Sequence, residues 1–570
     1  MKKTITLFAL AAVLFLIIAP SQSFGQTADT LWIKAHPIGN IDSLIVGDTT
    51  STGARAHPNR VYALYRDSVY LFKNTMNING NFNLFGASGA GAPPVIAPSI
   101  LADNSSPWLF FNLTQPHSSA SFKNIYFLNV RPDQTVPNID KAITIQTFAD
   151  SIKLTVDSVI FDAVCNSAIS TAGVWDKFFV SDCVFRNSQS IGQWFFGKAV
   201  DLEVAQVDSV VMVNNTMFYQ SSYAYCITGY NSYFKFEHNT VFINMTNPLN
   251  IFMGTNVIIK NNIFFGTEAP ASDSTEISQE YYENYPFVSG LISLDTAISG
   301  LIPPVSNKTR IATVDNNSYF WPSFLTNFYT AYNDTVTKME TVGTKTVLGI
   351  LYPSVWMNNF TAEKFNDPTD YPGLTQKNNV NTDPGFNSTV EAQFNTVLNY
   401  VIRITEANST SDSMWQFIPP SGKLFPPTWP LPENLSYTNT TLQTAGTDGL
   451  PLGDLNWYPS AHEKYVTGVT VKKGSQLPAA FSLSNAYPNP FNPSTNIQFS
   501  IAKTENVKLE VFNILGQKIA TLVNSQVKPG NYTATWNGKN EFGNQVASGI
   551  YFYRLESQSF NATKKMILMK

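Results

Sequence analysis

Charge is scarce in this chain of 570 residues. Only 13% of the side chains are charged, and 36 Lys and Arg face 40 Asp and Glu, for a net charge of −4. Phosphate binding needs clustered Lys and Arg, so nucleic acid is excluded as a partner. Cysteine is nearly absent too: Cys165, Cys183 and Cys226. An odd count excludes complete pairing, and a chain this long holds a core without disulfides. These thiols read as buried small hydrophobes. The five histidines (His36, His57, His117, His238, His462) show no ligand spacing, and no His-Glu-x-x-His occurs. Gly86 to Gly91 is rich in glycine but lacks the Lys and the helix of a phosphate loop. No metal and no cofactor are therefore expected. Beyond residue 19 no apolar run is long enough to span a bilayer.

What the chain does have is apolar content, asparagine and turn residues. Hydrophobic residues make up 44%, which at low net charge excludes disorder. There are 55 Asn, 33 Pro and 31 Gly, the mark of a turn-rich, strand-rich chain. The first 26 residues read as a secretory signal peptide. Met1-Lys2-Lys3 is the positive start, Leu7 to Ala19 the apolar run and Ser21 to Gln26 the small, polar exit. Export is the expectation that follows.

A repeat runs through the middle. Phe127, Phe161, Phe185, Phe218, Phe242, Phe265 and Phe320 recur at a base period of about 23 or 24, with some longer intervals. The position three residues before each holds Asn124, Ser158, Asp182, Asn215, Asn239, Asn262 and Asn317. Asn tolerates a left-handed backbone, and its amide can bond an identical turn stacked above. Short strands such as Ile152–Val156, Ser209–Val213 and Asn256–Lys260 lead straight into that polar position and then into a second short strand. One polar residue cannot close a hairpin but can turn a corner. The simplest solution is a coil of parallel strands. This pattern resembles the right-handed parallel β-helix, the pectate-lyase-like architecture, with an internal asparagine ladder. The fold expected is all-β, a solenoid over 27–465. The first coils lie at 61–80 and a closing region begins near 322. Asn379 to Phe386 and Asp448 to Tyr458 resemble closing motifs of such proteins, with Trp415, Trp429 and Trp457 as a lid on the end.

The last ninety residues differ. A linker is expected at 466–480 and a small immunoglobulin-like β-sandwich at 481–570, from period-two strands with frequent turns. Pro488-Asn489-Pro490-Phe491, the turn at Gly516, Trp536-Asn537-Gly538, Gly549-Ile550-Tyr551 and the Lys-rich final strand carry a resemblance. They are similar to the type A C-terminal sorting domain of type IX secretion cargo. The resemblance implies export to the cell surface or beyond, with the translocon and its sorting protease as partners and surface lipopolysaccharide as a possible anchor.

Proteins resembling this solenoid include polysaccharide lyases and glycoside hydrolases, whose chemistry needs converging charge. The strands before the asparagine corner are nearly free of it. Lys198, with Asp201 and Glu203, is the one nearby cluster, and reads as a solvated loop. The same face offers Trp194, Phe195, Tyr223 and Tyr225, with Trp175 nearby, which suit stacking on sugar rings. The reading is a non-catalytic surface protein binding a glycan or a partner; a polysaccharide-degrading enzyme is the alternative. The insertion from Thr267 to Arg310 carries Glu268, Asp273, Glu276, Glu280, Glu283 and Asp295, and is expected to protrude as an acidic flap.

Overall fold

The structure is a computed structural model. It describes residues 29–569 apart from 36–40, 139–140, 190–195, 203–204, 274–289, 295–305, 342–349, 392, 408–416, 418, 420, 468–469, 473–479, 493, 528 and 541–545. The segment expected to be a signal peptide, Trp194, Phe195, Glu203, Trp415 and four of the flap's acids (Glu276, Glu280, Glu283, Asp295) lie outside the described residues.

Short strands stack in parallel into three ladders. One ladder runs through Leu109–Leu113, Ile143–Thr147, Ser167–Thr171 and Lys198–Asp201. A second runs through Ser119–Lys123, Lys153–Asp157, Asp176–Ser181 and Val207–Val213. A third, ten-stranded, runs from Val69–Phe72 to Val380–Asn381. The chain visits the three in turn, which makes a parallel β-helix. Tyr225–Glu237 is a single strand that serves both the first and the second ladder. Thr30–Ile33 pairs with Val61–Leu64, so the second ladder starts earlier than the first coils expected from sequence. The helix Ile41–Gly47 buries Ile41 and Ile45 in the same core.

Many of the corners are turned by a residue with positive φ. Between the second and third ladders these are Asn124, Ser158, Asp182, Asn214, His238, Asn261, Asn316 and Asn378. His117, Ser151 and Trp175 do the same between the first and second ladders, and Ala163, Asn187, Tyr219, Ile243 and Gly266 after the third. The left-handed turn at Trp175 is thus a repeat position, not an isolated strain.

The residue after each second corner points inward, and here the sequence reading is corrected. In the early coils that residue is Ile125, Val159 or Cys183, all buried in the apolar core. Asn124, Ser158 and Asp182 are therefore not ladder members: they sit one position earlier, on the left-handed residue itself. Asn215, Asn239, Asn262 and Asn317 do form one column. The Asn239 Oδ1 accepts from the Asn215 N–H at 3.0 Å and from its Nδ2 at 2.8 Å. Asn262 serves Asn239 in the same way, and Asn317 serves Asn262. Asn379 extends the column, accepting from the Asn317 N–H and Nδ2. At the other end the Cys183 N–H donates to the Asn215 Oδ1 at 3.0 Å.

The cause of the error is a one-residue slip, which exchanges the faces of a strand. Phe185 pairs with Met217, while Phe218 pairs with Arg186. Phe127, Phe161 and Phe185 fill the interior. Phe218, Phe242 and Phe265 point out of the coil into a second apolar cluster.

That second cluster explains the closing region. Leu325 and Tyr329 of the helix Ser323–Thr341, Val397 and Val401 of the helix Phe394–Ala407, and Phe386, Leu435 and Leu452 join Phe218, Phe242 and Phe265 in one buried cluster. Leu424, Phe425 and Leu431 pack further back, with Val95, Tyr126 and Ile160. The region therefore lies along the outside of the third ladder. An end lid was the expectation; Trp429 is exposed and Trp457 bonds Thr216 on the ladder's flank. The insertion at 267–310 is also more than a flap, because Gly290–Ser293 returns as a strand of the first ladder.

The terminal sandwich has two antiparallel four-stranded sheets. The stretch read as a linker contributes to its surroundings: Pro459–Thr467 is helical through Thr467, and Thr470–Lys472 pairs with Gly530–Trp536.

Asn239→Ala orphans two buried donors on Asn215. The expected loss is about 3–5 kcal/mol of stability. Asn124→Ala changes only a left-handed corner, at about 1–2 kcal/mol. Urea unfolding of the two variants distinguishes these costs; equal losses would contradict the assignment of Asn239 to the column and Asn124 to the corner.

Candidate functional site

Charge on the solenoid is brought together at the first coil, where Arg55 and Arg60 meet Asp29 and Asp48, and where the closing region docks. Arg186, on the outside of the third ladder, is buried between two carboxylates. Its Nη1 donates to the Asp162 Oδ2 at 2.5 Å, and its Nε and Nη2 donate to both oxygens of Glu433 at 2.7 and 3.0 Å. The Tyr126 hydroxyl donates to the Asp162 Oδ2 at 2.6 Å. Burial pulls the Arg186 pKa down, but Asp162 and Glu433 outweigh it and hold the guanidinium well above its ordinary value. Asn187 completes the dock, accepting from the Phe417 N–H at 2.8 Å.

A second dock lies at the asparagine corner. The His238 Nε2 lies 2.9 Å from the Asp448 Oδ2, and the His462 Nε2 lies 2.7 Å from the Asp182 Oδ1. Asp454 accepts from the Thr216 hydroxyl at 2.6 Å and caps its own turn at the Asn456 N–H. The Tyr465 hydroxyl donates to Glu237, which also holds Lys235 and Lys260. Burial pushes the Asp454 carboxyl up to about 7. The bond to Asp182 raises the His462 pKa. Asp182 and His238, read as corner residues, are thus also anchors for residues more than 200 positions away.

The aromatic residues picked from sequence are not brought together as one patch. Tyr225 points into the solenoid, stacks on Phe234 with ring centroids 4.4 Å apart, and accepts from the Asn231 Nδ2 at 2.6 Å. It is buried and cannot meet a ligand, because its strand position faces the core. Trp175 is half-buried at the corner between the first and second ladders, 5.9 Å from the Tyr230 ring. Tyr223 is half-buried at the opposite corner, where its carbonyl accepts from the Ala199 N–H. Lys198 is no solvated loop residue: it is nearly buried, and its Nζ lies 3.0 Å from the Asp201 Oδ2.

The outward face of the first ladder shows a feature that the Phe period hides. Register aligns Asn77, Asn112, Gln146, Ser170 and Asp201 in one column. The Asn112 Nδ2 donates to the Asn77 Oδ1 at 2.9 Å. Trp108, just before one of these strands, and Phe148, just after the next, are 46% and 58% exposed. Among the described residues no group of three or more His, Cys, Asp and Glu could hold a metal ion, and no helix is long and apolar enough to cross a membrane.

In the sandwich, the motif residues tie its start to its end. The Asn489 Oδ1 accepts from the Ile567 N–H at 2.9 Å, and Phe491 exchanges backbone bonds with Ile567 and Met569. Pro488 accepts from the Thr495 hydroxyl, and Pro490 leads into Phe491, whose ring lies 5.5 Å from Trp536. Trp536 in turn meets Tyr551 edge-on at 4.9 Å. Gly516 and Gly549 both have positive φ.

A family model described as the secretion system C-terminal sorting domain matches residues 485–569. No curated protein matches the chain. Two solved structures from Porphyromonas gingivalis are similar over short stretches. Dimeric latent PorU is 19% identical, with 15% of this chain and 9% of that one covered, at a TM-score of 0.14. PorZ, described as an essential bacterial surface component of the type IX secretion system, is 16% identical, with 22% and 14% covered, at a TM-score of 0.13. The chain spans only these small parts of either. The sorting tail marks the protein for export to the cell surface or the extracellular space.

Two outcomes follow from the docks. Arg186→Met leaves Asp162 and Glu433 buried without a cation, and is expected to destabilise by about 3–5 kcal/mol. Adding Asp162→Asn and Glu433→Gln should recover much of that loss in thermal unfolding; no recovery would mean that packing, not charge, holds the dock. The second outcome concerns pH. Asp454 and His462 both have folded pKa values raised above their unfolded ones. Their stabilisation is complete below the unfolded pKa and is lost as pH rises, for Asp454 between about 4 and about 7. Protection factors over 448–467, corrected for the base-catalysed intrinsic rate, should therefore be higher at about pH 5 than at about pH 8, and Asp454→Asn should reduce that difference.

Proposed function

We propose that this protein is an exported, non-catalytic β-helix that binds a neutral glycan or a glycan-bearing partner along the outward face of its first ladder. Export rests on the sorting tail. The binding reading rests on the column of Asn77, Asn112, Gln146 and Ser170, one side chain per coil on aligned strands. Parallel strands repeat at about 4.8 Å, close to the length of a sugar ring, so successive amides and hydroxyls can meet successive hydroxyls of a chain. Exposed Trp108 and Phe148 supply apolar faces for the C–H side of a ring. Trp175 and Tyr223, at the two edges of the same ladder, are further contacts in this reading, and Trp194 and Phe195 remain candidates from sequence.

The Lys198–Asp201 pair on the same ladder gives the second reading, a polysaccharide lyase or glycoside hydrolase. A glycan array probed with the full chain separates the two, run alongside assays for new reducing ends and unsaturated products. Binding without turnover is the expected result. Trp108→Ala with Phe148→Ala should weaken it at least about tenfold while thermal unfolding stays unchanged. Turnover of any polymer would replace the first reading with the second.

A further inference from the structure

Apart from Tyr487 and Met569, the large exposed apolar residues of the sorting module fall in one place. Its second sheet is built from Lys518–Val527, Glu505–Asn513, Gly549–Ser557 and Asn561–Leu568. Period-two alternation sends Val507, Leu509, Val511, Tyr553 and Leu555 into the core. The other face should carry polar residues throughout. It does so at the far end, with Lys508 and Glu556 opposite one another. Near the 513–517 turn it does not. Phe512 pairs with Phe552, Phe552 with Lys565, and Phe512 with Lys518. Ile550 pairs with Ile567 beside them. Ile550 and Phe552 are 45% and 37% exposed. Arg554 lies over the Phe512 ring at 4.8 Å.

The turn itself continues this surface. Ile514 and Leu515 are 69% and 77% exposed. The turn holds them there. The Asn513 Oδ1 accepts from the N–H groups of Leu515 and Gln517 at 3.0 and 2.9 Å, and its Nδ2 donates to the Gln517 Oε1 at 2.7 Å. Gly516, at φ 75°, lets the chain turn back. Two large apolar side chains fixed in water gain nothing for folding, so the stable module carries them for a contact.

Charge narrows the occupant. Residues 481–570 hold nine Lys and Arg against four Glu and no Asp, in a chain that is acidic overall. Lys518 and Lys565 end the aromatic row on both sides; Arg554 lies beside it, shares Glu510 with Lys518 and meets Glu556, so the rim's excess of positive charge rests on Lys565 and on the module's net charge. Such a surface fits an apolar recess with a carboxylate rim. The geometry points to the Ile514–Leu515 turn, with Phe512, Ile550 and Phe552 behind it, as the face by which the module docks on an acidic, apolar recess of the export machinery. This rests on the sorting reading of the same module.

The test uses the full chain in a bacterium with a type IX system. Ile514→Asp with Leu515→Asp should lower export at least about tenfold, the size of a hot-spot loss. Phe552→Ser with Lys565→Glu should lower it independently. Both pairs lie on the surface, so thermal unfolding of the purified chains should match wild type. Removal of 481–570 is the control and should abolish export. Normal export of both folded variants, with the control blocked, overturns the docking face and leaves the sorting reading standing. Normal export of the control overturns both. Concentration-dependent sedimentation of the wild-type chain that the Ile514/Leu515 pair abolishes makes a second copy the occupant, and also overturns the proposal.

Discussion

The solenoid depends on the need to satisfy backbone groups at a corner that lies inside the core. A chain that turns between two strands on one residue leaves N–H groups pointing at the next coil. Buried and unbonded, each costs about 1–3 kcal/mol. From Asn215 to Asn379 the answer is an amide that accepts the N–H of the coil before and donates to strand carbonyls such as Met212 and Phe236. Each amide is held by its neighbours, so the coils share one register. The early coils put Ile125, Val159 and Cys183 at the same inward position. In early and late coils alike, the left-handed residue before it bonds the next turn through its main chain, as Asn124 N–H does to the Asp157 carbonyl and Asn214 N–H to the Glu237 carbonyl.

From this register the faces follow. Inward positions fill a continuous interior of Phe, Val, Leu and Ile. Outward positions differ by ladder, and each outward face has its own use. The third ladder is apolar around Phe218, Phe242 and Phe265, carries Asp162 and Arg186 further back, and is covered by the chain's own closing region. The second carries Lys and Asp in cross-strand pairs such as Lys123–Asp157. The first carries neutral amides and hydroxyls from Asn77 to Ser170, then Asp201 with Lys198, and has exposed aromatics at its margins. In the proposed reading the uncharged stretch from Asn77 to Ser170 is the part that meets a neutral polyol.

The closing region shows how scarce charge is used in an acidic chain. Arg186 neutralises one carboxylate of its own ladder and one of the covering segment. His238 and His462 meet Asp448 and Asp182 across the same boundary. Buried pairs of this kind contribute little net stability against an apolar alternative, but a missing partner is costly. They therefore fix where the covering segment lies more than they strengthen it.

Much of this was legible in the sequence. Period and polar offset gave a parallel coil, because stacking repeats its chemistry once per turn. The sorting module was legible because its turns and its Phe491, Trp536 and Tyr551 core are local and compact. The face of each strand was not. Phe185 and Phe218 look alike in sequence, yet one lies inside and the other outside, since a shift of one residue reverses a pleated strand. Tyr225 was misplaced for the same reason. Nor could local sequence show that Glu433 meets Arg186, or Asp448 meets His238, because those partners become neighbours only when the chain runs back along its own ladder. Repetition made the coil readable from residues alone; side-chain facing and distant pairing were decided only by packing in three dimensions.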